Sequence, residues 1–200
     1  MEKQAKGPAI PERMVAFDVE TPNYNNNRMS SIGLAVIERG VVTAAYSSLV
    51  DPETYFDRFN IALTGITPEM AEAAPAFPEV WEEIAPVMEG SLLIAHNAPF
   101  DMRVLSLCLE HYGIEAKRYF PYACTVRMGK KCYPELPDHR LDTLCSHLGV
   151  PLDHHRADSD SLACAKLLLD YLKRGVRLRD FIRIYDSYEL RTKAPGSLEE

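Results

Sequence analysis

Four carboxylates and a pair of histidines stand where side chains that do chemistry are usually found, at the ends of secondary-structure elements. Asp18 and Glu20 close the apolar run VAFDVE, Asp101 follows HNAPF, and Asp160 lies in DHHRADSD. Alternate residues of a strand share a face, so Asp18 and Glu20 project together from a segment whose other side chains are apolar. Two like charges on one face are unfavourable without a cation. Hard divalent ions such as magnesium and manganese take oxygen ligands, and a pair of them can clamp the attacking and leaving oxygens of a phosphoryl transfer. His154 and His155 precede Asp160, and a neutral imidazole there can accept a proton from an attacking water. The plainer alternative is that Asp101 and Asp160 cap helices and the histidines are solvated loop residues.

Elements that would position these groups can be read from the apolar pattern. MVAFDV reads as a central strand, and residues 28–52 read as two strands folded back at Glu38-Arg39-Gly40. Helices are predicted to start at Thr67-Pro68-Glu69 and at Ala76-Phe77-Pro78-Glu79, where proline costs no hydrogen bond. LLIAH is a buried strand, a helix follows Asn97-Ala98-Pro99, and FPYACT supplies a further strand. Helices are expected over residues 141–148 and 158–173, with a short one near residues 178–185. Together these give an α/β fold: a mixed five-stranded sheet flanked by helices, with the acids at strand ends where ligands sit in such sheets. Residues 13–190 are expected to form one domain, preceded by a flexible lead-in over residues 1–12 and followed by a disordered tail from residue 191.

Composition narrows the class. The chain has 200 residues, a net charge of −7, and no apolar run near the roughly 18 residues of a membrane span. The charge excludes a broad basic nucleic-acid coat, not a local basic patch. Five widely spaced cysteines without a Cys-x-x-Cys pair read as reduced thiols, and with no secretion signal the expectation is a cytoplasmic protein with no membrane partner.

Taken in order, Asp18-x-Glu20-Thr21, His96-Asn97-Ala98-x-Phe100-Asp101 and His155-Arg156-Ala157-x-x-Asp160 resemble the DEDDh 3′-5′ exonucleases, the family of the epsilon proofreading subunit of bacterial DNA polymerase III. Each motif is weak alone; three in order are specific. The likeness runs from about residue 13 to 174 and includes GITPEM, FPEVW and LDTLCSHLGVPL. It implies a ribonuclease H-like fold and two magnesium or manganese ions held by Asp18, Glu20, Asp101 and Asp160. It also implies His155, rather than His154, as the general base, and Asp160, rather than Asp158, as the ligand. The reaction implied is release of nucleoside 5′-monophosphates from single-stranded DNA 3′ ends, with an exoribonuclease or oligonucleotidase as the alternative. Thr21, Asn97 and Phe100 fall next to the ligands and are expected near the terminal nucleotide. Arg28, Arg127, Lys130, Lys131, Arg140 and Arg156 are candidates for phosphate contacts.

Two segments depart from the family pattern. Thr64 precedes Gly65 where many members have histidine, and residues 22–27 (PNYNNN) follow where many have Thr-Gly. The single glutamine, Gln4, and the short stretch after Arg191 favour a stand-alone enzyme; polymerase association is not indicated.

Overall fold

The computed structural model describes residues 13–188, so the expectations for residues 1–12 and 191–200 lie outside the described residues. The sheet is mixed and has the order β3-β2-β1-β4-β5-β6, built from β1 (Arg13–Glu20), β2 (Ser31–Glu38), β3 (Val41–Leu49), β4 (Leu92–Ala95), β5 (Tyr119–Cys124) and β6 (Arg183–Asp186). β1–β4 and β4–β5 are parallel; the other neighbours are antiparallel. The β2–β3 hairpin turns on Arg39 and Gly40, both with positive φ (53° and 79°), the conformation that suits a two-residue turn between twisted strands.

The fold class is the one the sequence predicts, with one correction. There are six strands rather than five, because the segment read as a short helix over residues 178–185 is a single 3-10 turn, Leu178–Asp180, followed by β6. β6 extends the sheet by pairing Phe120 with Tyr185 and Tyr122 with Arg183. That pairing joins residues far apart in sequence and leaves no local signature.

Helices cover both faces. α3 (Phe77–Met88) and α4 (Pro99–His111) pack on Val15, Phe17 and Val19 of β1. α5 (Thr125–Cys132), α6 (Leu141–Leu148) and α7 (Ala157–Lys173) pack on Met14 and Ala16. Two short helices, α1 (Arg58–Thr64) and α2 (Pro68–Glu72), lie between the hairpin and α3; the Thr67 hydroxyl caps α2 by accepting from the Met70 N–H at 3.4 Å. The parity of β1 therefore fixes where the acids go. Asp18 and Glu20 continue the even-numbered row of Met14 and Ala16, which is the face covered by α7. All five cysteines are free thiols, and four of them are buried.

Candidate active site

Each acid reaches the end of β1 by a different route. Asp18 and Glu20 emerge from the strand on its α7 side. Asp160 sits in the first turn of α7, buried, on the same side. Asp101 arrives from the other layer: β4 runs parallel to β1, α4 begins just beyond it, and the Asp101 carboxylate accepts a hydrogen bond from the Val19 N–H at 3.2 Å. The carboxylate oxygens of Asp18, Glu20 and Asp160 come within 4.8 Å of one another.

So much negative charge in a recess resists ionisation. Burial, then Asp101, Glu20 and Asp160, hold the Asp18 carboxyl well above the usual carboxylate range. Burial and Asp160 push Glu20 up to about 8. Burial also raises Asp101, although the Val19 N–H pulls the other way. Asp160 is raised less firmly, because a hydrogen bond from His154 favours its charged form. Asp160 Oδ1 is buried without a hydrogen-bond partner among the described residues. An all-oxygen donor set with mutual repulsion and an unpaired buried oxygen fits hard divalent cations.

Both histidines crowd Asp160. His155 has positive φ (66°), and that backbone turn points its N–H at Asp160 Oδ2, 3.1 Å away. His154 Nδ1 lies 2.9 Å from the same oxygen, and the two imidazoles stack at 3.9 Å between centroids. Burial first, then the neighbouring His154, lowers the His155 pKa below its ordinary 6.5, which keeps the ring neutral at pH 7 and able to accept a proton. The contact of His154 with Asp160 has no signal in the sequence beyond the HH doublet.

The acids form the floor of a cleft of about 890 Å³. Thr21, Asn97 and Phe100 all line it. Thr21 is partly committed to structure: its hydroxyl donates to Asn26 Oδ1 at 2.9 Å, and Asn60 Nδ2 donates to its carbonyl at 2.8 Å. Asn97 is exposed with positive φ (68°), and Phe100 is half-buried against the core. Of the basic candidates, Lys130 and Arg140 reach the cleft. Arg156 is instead paired with Asp153 and Asp158, and Arg28 donates to the Asn27 carbonyl. Thr64 lines a smaller recess of about 340 Å³ behind Glu20 and His155, where its hydroxyl donates to the Asn60 carbonyl at 2.9 Å.

The sequence motifs assign no role to Tyr24, Phe59, Asn60 or His96, which also line the cleft. His96 is half-buried with Nδ1 2.9 Å from Thr125 Oγ1, and burial holds its pKa down to about 4, so it is a neutral wall. Its place in HNAPFD was a usable signal. Tyr24 and Phe59 had none, because their partnership is made only by folding.

A mixed sheet with helices on both faces gathers four acids at the end of its central strand, an arrangement suited to the cations of a phosphodiester-cleaving enzyme. The chain belongs to the exonuclease family RNase_T, which it matches over residues 15–168. It is 33% identical over 174 residues to the PolC-type DNA polymerase III of Halalkalibacterium halodurans, a match covering 85% of this chain and 12% of that protein. With the PolC-type enzyme of Bacillus subtilis it is 34% identical over 176 residues, 84% of this chain and again 12% of the relative. The chain thus spans about an eighth of the length of these curated relatives.

Among solved structures, it is similar to the nuclease domain of 3′hExo, a DEDDh family member, bound to rAMP (TM-score 0.71, 18% identity, 88% of this chain and 97% of that one). It is also similar to exonuclease X in complex with 5′-overhanging duplex DNA (TM-score 0.65, 22% identity, 81% and 91%). At these identities the likeness is one of fold, the ribonuclease H-like fold of DEDDh exonucleases. Among the described residues no helix is long and apolar enough to cross a membrane.

Proposed function

We propose that this chain removes nucleoside 5′-monophosphates from the 3′ ends of single-stranded DNA, using two magnesium or manganese ions held by Asp18, Glu20, Asp101 and Asp160, with His155 as the general base. The observation that carries the proposal is the gathering of the Asp18, Glu20 and Asp160 carboxylate oxygens within 4.8 Å, with Asp101 anchored on the Val19 N–H beside them. When bound, such cations supply Lewis-acid stabilisation of the charge that develops on the phosphoryl oxygens.

The protein's own groups do the rest. His155, neutral at pH 7, takes the proton of the attacking water on a ring nitrogen, and its main-chain hydrogen bond to Asp160 fixes its distance from the carboxylates. The bond from the Val19 N–H fixes the rotamer of Asp101, so the ligand set needs little reorganisation. Thr21, Asn97 and Phe100 border the floor and contact the terminal nucleotide. The DNA preference is supported by the curated relatives, DNA polymerases of PolC type that are about a third identical to this chain over the matched segment, about an eighth of their own length.

End-labelled single-stranded DNA and RNA of matched sequence test this. With manganese or magnesium the DNA should shorten stepwise from its 3′ end, faster than the RNA, and EDTA should stop it. A faster loss of RNA would transfer the reading to an exoribonuclease, and inertness toward both at high enzyme concentration would refute it.

A further inference from the structure

His154 is the half of the HH doublet that the nuclease chemistry leaves without a task, yet its ring is engaged. Nδ1 lies 2.9 Å from Asp160 Oδ2, and the His155 ring stacks on it at 3.9 Å between centroids and 18° between planes. One ring nitrogen of each histidine and one carboxylate oxygen of Asp160 all lie within 4.8 Å of one another. The His154 side chain is 31% exposed and that of Asp160 only 4%, so the acid is fixed while the rings can be reached and turned.

This second cluster shares Asp160 with the four carboxylates and differs from them in donor type. Magnesium takes oxygen ligands and keeps several of its waters, so imidazole has little to offer it. Zinc binds imidazole nitrogen and carboxylate oxygen alike, and three protein ligands with water in the fourth position are an ordinary set for it. Donors around a tetrahedral zinc stand about 3.4 Å apart, given bonds of about 2.05 Å. The cluster therefore has to contract by little more than about an ångström, which rotation of two half-exposed rings supplies. Asp160 Oδ1, buried without a hydrogen-bond partner among the described residues, adds a second oxygen that an ion can use.

We infer that His154, His155 and Asp160 form a binding site for a nitrogen-seeking divalent cation, zinc above all, and that filling it switches the nuclease off. The site stands on this geometry; the switch rests on the nuclease reading above. An ion held there occupies the imidazole that is to accept the proton of the attacking water, and it draws Asp160 away from the other carboxylates. His154 supplies the second nitrogen, so the doublet makes a chelate where His155 by itself offers a single ring.

Calorimetric titration of zinc into the whole protein, in excess magnesium, reads the site without reference to activity. One zinc per chain should bind. His154→Gln keeps a donor for Asp160 but no imidazole, and it should weaken binding at least about tenfold, the lower end of what loss of even an outer-shell partner costs. Cobalt gives a second reading on the unaltered protein: in excess magnesium it should develop the strong visible absorption of a four-coordinate ion with nitrogen ligands, not the faint colour of a six-coordinate ion among oxygens. Cleavage of end-labelled DNA in magnesium should fall about a hundredfold or more when zinc fills the site, the scale of losing a general base. The zinc concentration that halves the rate should rise at least about tenfold in His154→Gln, each protein being compared with its own zinc-free rate. Zinc that merely displaces magnesium from the carboxylates would bind and inhibit both proteins alike, and that result, or a cobalt spectrum of the all-oxygen kind, overturns the site. Zinc bound through His154 with cleavage undiminished overturns the switch. Absence of cleavage by the zinc-free protein would instead refute the nuclease reading, while calorimetry and the cobalt spectrum would still judge the site.

Discussion

Gly33 and Ala157 approach so closely that a Cβ on the glycine would stand 2.0 Å from the Ala157 carbonyl oxygen. Gly33 is the ladder partner of Asp18 across β1 and β2, so the side chain it lacks would rise on the same face as the Asp18 carboxylate. The vacant space is filled by the first residues of α7, and three residues later the helix delivers Asp160. The glycine is thus a geometric condition for the acid cluster.

Gly33→Ala should therefore act on both stability and the site. The added methyl meets backbone, which cannot swing aside, so unfolding should become easier by about 1–3 kcal/mol or more. Manganese affinity should weaken with it as Asp160 withdraws from Asp18. Chemical denaturation and calorimetric titration with manganese measure the two effects; an unfolding midpoint and affinity equal to those of the unaltered protein would refute the coupling.

The acid cluster also sets a pH dependence. Glu20 is raised from an ordinary 4.5 to about 8, and Asp18, Asp101 and Asp160 are raised with it. In that range the metal-free folded protein binds more protons than the unfolded chain, so its stability is greatest below about pH 4.5 as far as these groups are concerned and falls as pH rises toward 8. Added manganese should reverse the fall, with a larger gain in Tm at pH 8 than at pH 5.5, because cations compete with those protons. Asp18→Asn should flatten the metal-free decline while lowering turnover by on the order of a thousandfold, the cost of losing several kcal/mol of charge stabilisation. Thermal melts in EDTA and in manganese across pH, together with turnover, check all three; a metal-free Tm that climbs from pH 5.5 to 8 would be the contrary result.

The two histidines should separate in kinetics. His155→Ala should lower kcat by roughly 10²–10⁴-fold, the range for removal of a general base. Its pKa is held below 6.5, so the acid limb of the kcat profile, where activity rises as the ring loses its proton, should lie below that pH. His154→Ala should retain that limb. A limb that survives in His155→Ala and vanishes in His154→Ala would move the base to the residue whose ring touches Asp160.

Much of the site was legible because its logic is periodic or ordered along the chain. Asp18 and Glu20 announce themselves by strand alternation, and Asp101 and Asp160 by their places in motifs that recur in sequence order. What could not be read is what folding alone creates. α1 has no side-chain cap and no acid in its first turn, so nothing in FNIALT marks a helix. β6 is four residues long and exists through its partner β5. The stacking of Tyr24 on Phe59 depends on a loop being tied across to Tyr55 and Asp57, and PNYNNN by itself reads as an ordinary turn-rich stretch.

The four carboxylates come from three segments, at residues 18–20, 101 and 160, and the last is supplied by the helix that leans on Gly33. A chain still emerging from the ribosome, or one clipped between α4 and α7, holds three of the acids with nothing to close them into a pocket. On the proposed assignment of these acids, cutting power is withheld until nearly the whole domain has been made and docked, so that a half-built molecule carries the recognisable motifs and none of the danger.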